Sequence, residues 1–331
     1  MLAFGAMGRA TSWSAACWLL LGAVGCSSGR TVVLGDQTPE PYHFGTPQIV
    51  AELNAPPDRT DNPTLTGDLL EIYFTSDRVS GNGDVWFATR TRATDPFGAP
   101  APVTAVNTDG FETSSAISTD GLTLWFGSDR PGGAGDIDVW VSTRASRTEP
   151  WSTPVNVVDL NSPVDDIPRP PGQHGLVMPL SSQRTDPQSY ETYLAARPSS
   201  GAPFSTPVLI SQLVFTTRST VDGFLSEDGL TLFYSSGARE PVAADGGATD
   251  GGKPDSGAAA DSGVPVTTSD LYVAWRRSVD DEFTVTQPLS DLNTTMYDER
   301  DPWLTPDGKT LYFTSNRSGT LTIYTAPVLS P

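Results

Sequence analysis

A chain of 331 residues with 39 aspartates and glutamates against 20 lysines and arginines carries a formal charge of −19. That charge repels phosphate backbones and excludes nucleic acid as an expected partner, while favouring a basic or cation-bridged one. Two cysteines, Cys17 and Cys26, and two histidines, His43 and His174, leave too few ligands for a zinc site and no Ser-His-Asp constellation.

The first 26 residues contain Arg9 and no acid, and Trp13 to Gly25 is an apolar run too short to span a bilayer as a mature helix. It ends Ala23-Val24-Gly25-Cys26-Ser27, which resembles a bacterial lipobox. The resemblance implies a signal peptide over 1–25, cleavage before Cys26 and a lipid on its thiol. An ordinary secretory signal is the alternative. Ser27 after the cysteine implies, by the same resemblance, the outer membrane, with the protein periplasmic or surface-exposed. Beyond Cys26 the chain holds 19 basic and 39 acidic residues, a net of −20. Residues 26–43 form a flexible tether in this reading, and a spare strand, Pro47 to Leu53, follows.

From there one sentence is written five times. The first copy reads Ile72-Tyr-Phe-Thr-Ser-Asp-Arg78 and then Asp84-Val-Trp86. The second has Asp120-Gly121, Ser128-Asp-Arg130 and Val139-Trp140. The third has Trp151-Ser-Thr-Pro154, Asn161 and Ser182-Gln-Arg184. The fourth has Phe204-Ser-Thr-Pro207, Asp228-Gly229 and Leu271-Tyr272. The fifth has Asn293, Asp307-Gly308 and Ser315-Asn-Arg317. Arg78, Arg130 and Arg184 stand 52 and 54 residues apart. A period of that size, with alternating strands and Gly/Asp turns, predicts an all-β propeller of four-stranded blades over 44–328. The Asp-Gly pairs suit hairpins that need positive φ. Gly67-Asp68-Leu69 and Gln173-His174-Gly175 replace them in the first and third repeats, which are expected to be less regular.

The fourth repeat is interrupted at 239–268 by a Gly-, Ala- and Asp-rich segment with almost no large apolar side chain, expected to be a disordered hairpin insertion. The chain ends after the third strand of the fifth repeat, so the spare strand at 47–53 is expected to complete that blade and close the ring. Five blades result. Six would need one hidden in 194–220 or in the tether.

The units Leu304 to Arg317 and Ser128 to Trp140 resemble the WD40-like, Pro-Asp-type repeat of the TolB-like propeller family, found in many bacterial envelope lipoproteins. That resemblance implies the propeller fold and leaves function open, since binding proteins, peptidase gates and solitary lipoproteins all use it. The extra N-terminal domain and sixth blade of TolB have no counterpart here, so its role does not carry over.

Aligned repeats place Glu112, Asp166 and Glu299 just before the innermost strand, with Asp61 and Asp222 one or two places later. These five, with Trp303, are the expected ligand face at the channel mouth. The Ser-Asp-Arg elements are expected to be structural, the acid capping a turn and the arginine pairing across blades or with the acid before the inner strand. The strand tryptophans are expected to fill the space between blades. Asp84, Asp136 and Asp138, in Gly-rich loops, are weak calcium candidates, and turn chemistry explains them better. The function expected from these residues is a non-catalytic, lipid-anchored and monomeric scaffold that binds an envelope protein or glycan without a cofactor. The alternative is a carbohydrate-active hydrolase using two of the channel-mouth acids, which need carboxyls of unlike role.

Overall fold

A computed structural model describes residues 40–79, 81–238 and 268–330. The signal segment with Cys26, most of the tether and 239–267 of the insertion lie outside the described residues. Within the compact unit Pro39–Pro331, antiparallel sheets form a five-bladed β-propeller. The inner strands are Thr60–Leu65, Glu112–Ile117, Asp166–Pro168, Arg218–Leu225 and Glu299–Leu304. Each is followed by two further strands and, in the first four blades, by a short outer one, as in Thr123–Ser128, Asp138–Thr143 and Val155–Asn156 of blade 2.

Closure occurs in blade 5, whose third strand, Thr322–Ser330, pairs with two segments from the start of the unit. Gln48 and Ile49 face Thr325 and Tyr324, and His43 and Phe44 face Ser330 and Val328. The spare strand is where the repeat count put it. His43, assigned to the tether, is already paired.

Large side chains fill the seams between blades, as a period-2 strand buried on both faces requires. Trp125 of blade 2 packs with Met178, Leu180, Tyr193 and Phe204 of blade 3, and Phe74 and Trp86 of blade 1 pack with Trp303 and Tyr312 of blade 5. A large apolar side chain fully removed from water contributes about 1.5–3 kcal/mol, so these seams hold the ring together.

The arginines finish the seams. Arg78, Arg130 and Arg317 lie 4.8–5.4 Å from the centroids of Phe74 and Trp86, Phe126 and Trp140, and Phe313 and Tyr324. A second set, Arg90, Arg144, Arg197 and Arg276, donates from Nε to the carbonyls of Leu69, Gly121, Gly175 and Gly229 at 2.7–2.8 Å. These stack on Phe97, Trp151, Phe204 and Phe283. The acid of Ser-Asp-Arg does not cap its own turn: Asp77 and Asp129 accept from the amides of Arg59 and Phe111, ahead of the inner strand. Blade 1 is as regular as blade 2, contrary to expectation, because Leu69 adopts φ 63° where the others use glycine. Blade 3 is irregular, with an inner strand of three residues.

Candidate functional site: the propeller axis

In four blades the inner strand bulges, at its third residue in blades 1, 2 and 5 and at its fifth in blade 4. Asn62, Ser114, Asp222 and Asp301 all have φ between 49° and 60°, and the register of their strands shifts at that point. Asn and Asp tolerate this left-handed region better than most side chains, which is why three of the four are Asn or Asp. The bulge hands amides to the blade before: Asn62 donates to Asp301 Oδ2 at 3.2 Å, Asp301 to Ser235 Oγ at 3.3 Å, and Asp222 to Ser181 Oγ at 3.1 Å.

Proline cannot take positive φ, and blade 3 has Pro168 at this place. The next residue, Arg169, supplies what the bulge does not. Its side chain is 1% exposed, and its Nη1 donates to Asn62 Oδ1 of blade 1 at 2.7 Å and to Asp301 Oδ1 of blade 5 at 3.4 Å, with Asp222 Oδ1 of blade 4 at 3.9 Å. One guanidinium thus joins four blades at the axis.

The axis has two unlike ends. Where the inner strands begin, a cavity of about 250 Å³ is lined by Asp61, Asn62, Asp222, Asp301, Arg59 and Arg300, with Phe111, Tyr190 and several serines. Arg59 pairs with Asp61 at 3.2 Å. Gly237, Ala238 and Ser269, which flank the insertion, also line it. Where the strands end, a smaller apolar dent of about 110 Å³ is lined by Leu65, Ile117, Pro170, Phe224, Trp303 and Leu304.

Burial raises the Asp61 carboxyl to about 6, the Arg59 guanidinium opposing and the Asp301 charge adding to the shift. Burial likewise raises Asp222 to about 7, with Asp301 adding and Arg169 opposing. These carboxyls change protonation near neutrality, a property concentrated at functional sites.

The predicted ligand face divides. Asp61 and Asp222 line the polar cavity. Glu112, Asp166 and Glu299 do not: each is 0% exposed and is held by the arginine of its own blade's Ser-x-Arg element. Arg130 reaches Glu112 at 3.0 Å, Arg317 reaches Glu299 at 2.9 Å, and Arg184 pairs with Asp166. Glu112 also accepts from the Thr108 amide and hydroxyl and from Ser128 Oγ. The pairing runs within blades, not across them. Trp303 is 4% exposed, meets Phe224 at a tilt and Tyr312 edge-on, and faces the apolar dent.

Arg169, Arg300 and Asp301 escaped the sequence reading. The signal available was a broken pattern: Pro168-Arg169 stands where other repeats put Asn, Ser or Asp. Among the described residues no group of three His, Cys, Asp or Glu is arranged to hold a metal. Asp138 instead accepts from the amides of Ala134 and Gly135 through Oδ2. Asp84 occupies the matching position, opposite Ser76 as Asp138 is opposite Ser128. No helix among the described residues is long and apolar enough to cross a membrane.

The class defined is a five-bladed propeller with a charge-compensated cavity on its axis. No family profile and no curated protein matches the chain. Among solved structures it is similar to TolB from Acinetobacter baumannii, at 13% identity and a TM-score of 0.44, over 82% of this chain and 54% of that one. An endo-arabinase from Bacteroides thetaiotaomicron matches at 13% identity and a TM-score of 0.50, over 82% and 95% of the two chains. An alpha-L-arabinofuranosidase from Podospora anserina matches at 10% identity and a TM-score of 0.44, over 82% and 91%. This chain spans little more than half the length of that TolB. At 13% identity the likeness to the endo-arabinase shows the fold alone.

Proposed function

We propose that the chain is a non-catalytic binding propeller of the bacterial cell envelope, exported, lipid-anchored through Cys26 at the outer membrane, and taking a small polar ligand or a side chain of a partner in the polar axial cavity. The observation that carries this reading is the separation of roles among the acids. The recurring acids are consumed by arginines inside the blades, whereas Asp61, Asp222 and Asp301 stand on a cavity with donors and acceptors of both signs. A charge-compensated, preformed polar pocket binds by directed hydrogen bonds at little ordering cost. Titration calorimetry of the full chain against amino acids and oligosaccharides tests it. Binding that is lost in Asp61→Asn and Asp222→Asn, with both variants still unfolding cooperatively, is the expected result. Binding indifferent to both substitutions removes the cavity from the reading. Labelling with a radioactive fatty acid in cells, lost in Cys26→Ala, tests the anchor.

A second reading, glycoside hydrolysis, is favoured by one observation. Asp222 holds its proton near neutrality as a general acid must, and Asp61 stands on a different blade with a lower value. Turnover of aryl arabinosides or other aryl glycosides that disappears in the Asp61→Asn, Asp222→Asn double variant would establish it. Absence of turnover by the unaltered protein would retire it.

A further inference from the structure

The apolar dent at the opposite end of the axis is a separate feature that the polar cavity does not explain. All five blades contribute to it, through Leu65, Ile117, Pro170, Phe224 and Trp303 among others. Its walls are rigid: Pro170, Pro171 and Pro306 fix φ, and a Cβ on Gly172 would stand 2.5 Å from the Leu225 carbonyl oxygen. A volume of about 110 Å³ admits one side chain and no folded element.

The rim is acidic. Glu227 lines the dent, and Asp68, Asp120, Asp228 and Asp307 each adjoin a lining residue at the tip of a turn. Each turn aspartate also accepts from a neighbouring hydroxyl: Asp68 from Thr66, Asp120 from Ser118, Asp228 from Ser226, Asp307 from Thr305. These bonds hold the carboxylates in place without neutralising them. Against five carboxylates stand two rim cations, Arg147 on Asp68 at 2.6 Å and Lys309 by Asp307 at 3.7 Å, with His174 by Glu227 at 3.5 Å. The remaining arginines of this face are spent on turn carbonyls and aromatic rings, as described above.

An apolar hole inside a ring of excess negative charge is complementary to a bulky apolar side chain flanked by positive ones. We propose that this dent docks a cationic peptide segment of a partner protein, with one aliphatic or aromatic side chain inserted against Trp303 and Phe224 and basic neighbours over Glu227, Asp228 and Asp120. The anchor supplies most of the affinity and the rim supplies orientation and association rate. The surface is preformed, so the segment alone is ordered on binding.

The test uses three synthetic peptides with blocked termini: Lys-Arg-Leu-Arg-Lys, the anchor-free Lys-Arg-Gly-Arg-Lys, and the acidic Glu-Asp-Leu-Asp-Glu. The full chain is expected to bind the first, at least tenfold more tightly than the second, and to ignore the third. Raising salt well beyond physiological strength weakens the binding severalfold, because the rim charges are exposed. Glu227→Lys, at an exposed position, weakens it further while melting stays unchanged. Binding perturbs Trp303 emission, and in Trp303→Phe that optical signal disappears while calorimetric heat remains. No binding below about 1 mM, equal binding of the anchor-free or acidic peptide, or an optical response that survives in Trp303→Phe each overturns the proposal. None of these outcomes depends on a ligand for the polar cavity.

Discussion

Two sets of acids stand one or two positions apart in the repeat and have opposite fates. Glu112, Asp166 and Glu299 recur at one position of the repeat, and the arginine eighteen residues later in each blade meets them. Asp61, Asp222 and Asp301 do not recur from blade to blade: Asp61 is the second residue of its inner strand, Asp222 and Asp301 sit at the bulge, and blades 2 and 3 have no acid at either place. The recurring set sits where three blades solve the same problem, the burial of a guanidinium and a strand end, and its charges are satisfied locally. The axial set sits where the blades meet and each meets something different. Repetition therefore marks the scaffold, and departure from repetition marks the site.

The contrast can be broken most forcibly from the scaffold side. Glu112→Ala leaves Arg130, whose side chain is 10% exposed, without its carboxylate. It also strips an acceptor from Thr108 and Ser128. Unfolding in urea should show a loss of about 3–5 kcal/mol, and an unchanged midpoint would undo the structural assignment. Arg169→Met comes next. Asp222 and Asp301 lose the cation they share, and the stability loss, about 2–4 kcal/mol at pH 8, should shrink by pH 5 as Asp222 takes up its proton. A loss independent of pH would mean that Arg169 works through packing alone.

The third effect is a slope. Folding raises Asp61 and Asp222 above their unfolded values, so the folded state holds their protons more tightly. Their contribution is therefore full below about pH 4 and is lost as pH climbs through about 6 and 7. Asp222→Asn should flatten the fall in urea midpoint between pH 5 and 8. The smallest effect is at the bulges. Ser114→Gly relieves a side chain at φ 49° but gives up the 3.0 Å bond from its hydroxyl to Asn62. With about 1–2 kcal/mol gained and about 1 kcal/mol lost, melting should move little.

The blades were legible because each repeat carries its own strand alternation, turn residues and seam aromatic, all local properties of the chain. Ring closure by the early strand was legible because strands can be counted. The division of the channel-mouth residues was not. Glu112 and Asp61 differ in sequence only by an offset of one, and a bulge at Asn62, invisible without backbone geometry, decides which carboxyl meets the axis. Trp303 was placed near the channel, yet its end of the axis is the apolar one, a distinction set by where the strand crosses the level of Arg169. The arginine itself hid in the least regular repeat, where Pro168, Pro170 and Pro171 suggest a degenerate copy more than a functional one.

The clasp in blade 5 has a mechanical meaning. Residues 43–50 are held to the final strand by two short registers and by the Gly45 and Val50 amides on the Pro327 and Ile323 carbonyls, and to the loop before the last inner strand by Asp291 bonding His43 and Phe44. Any pull arriving from upstream of residue 43 is applied to this clasp before it reaches a blade, so the ring bears load at its seam. A propeller hung by that end gives way first by unbuttoning, with four blades still folded.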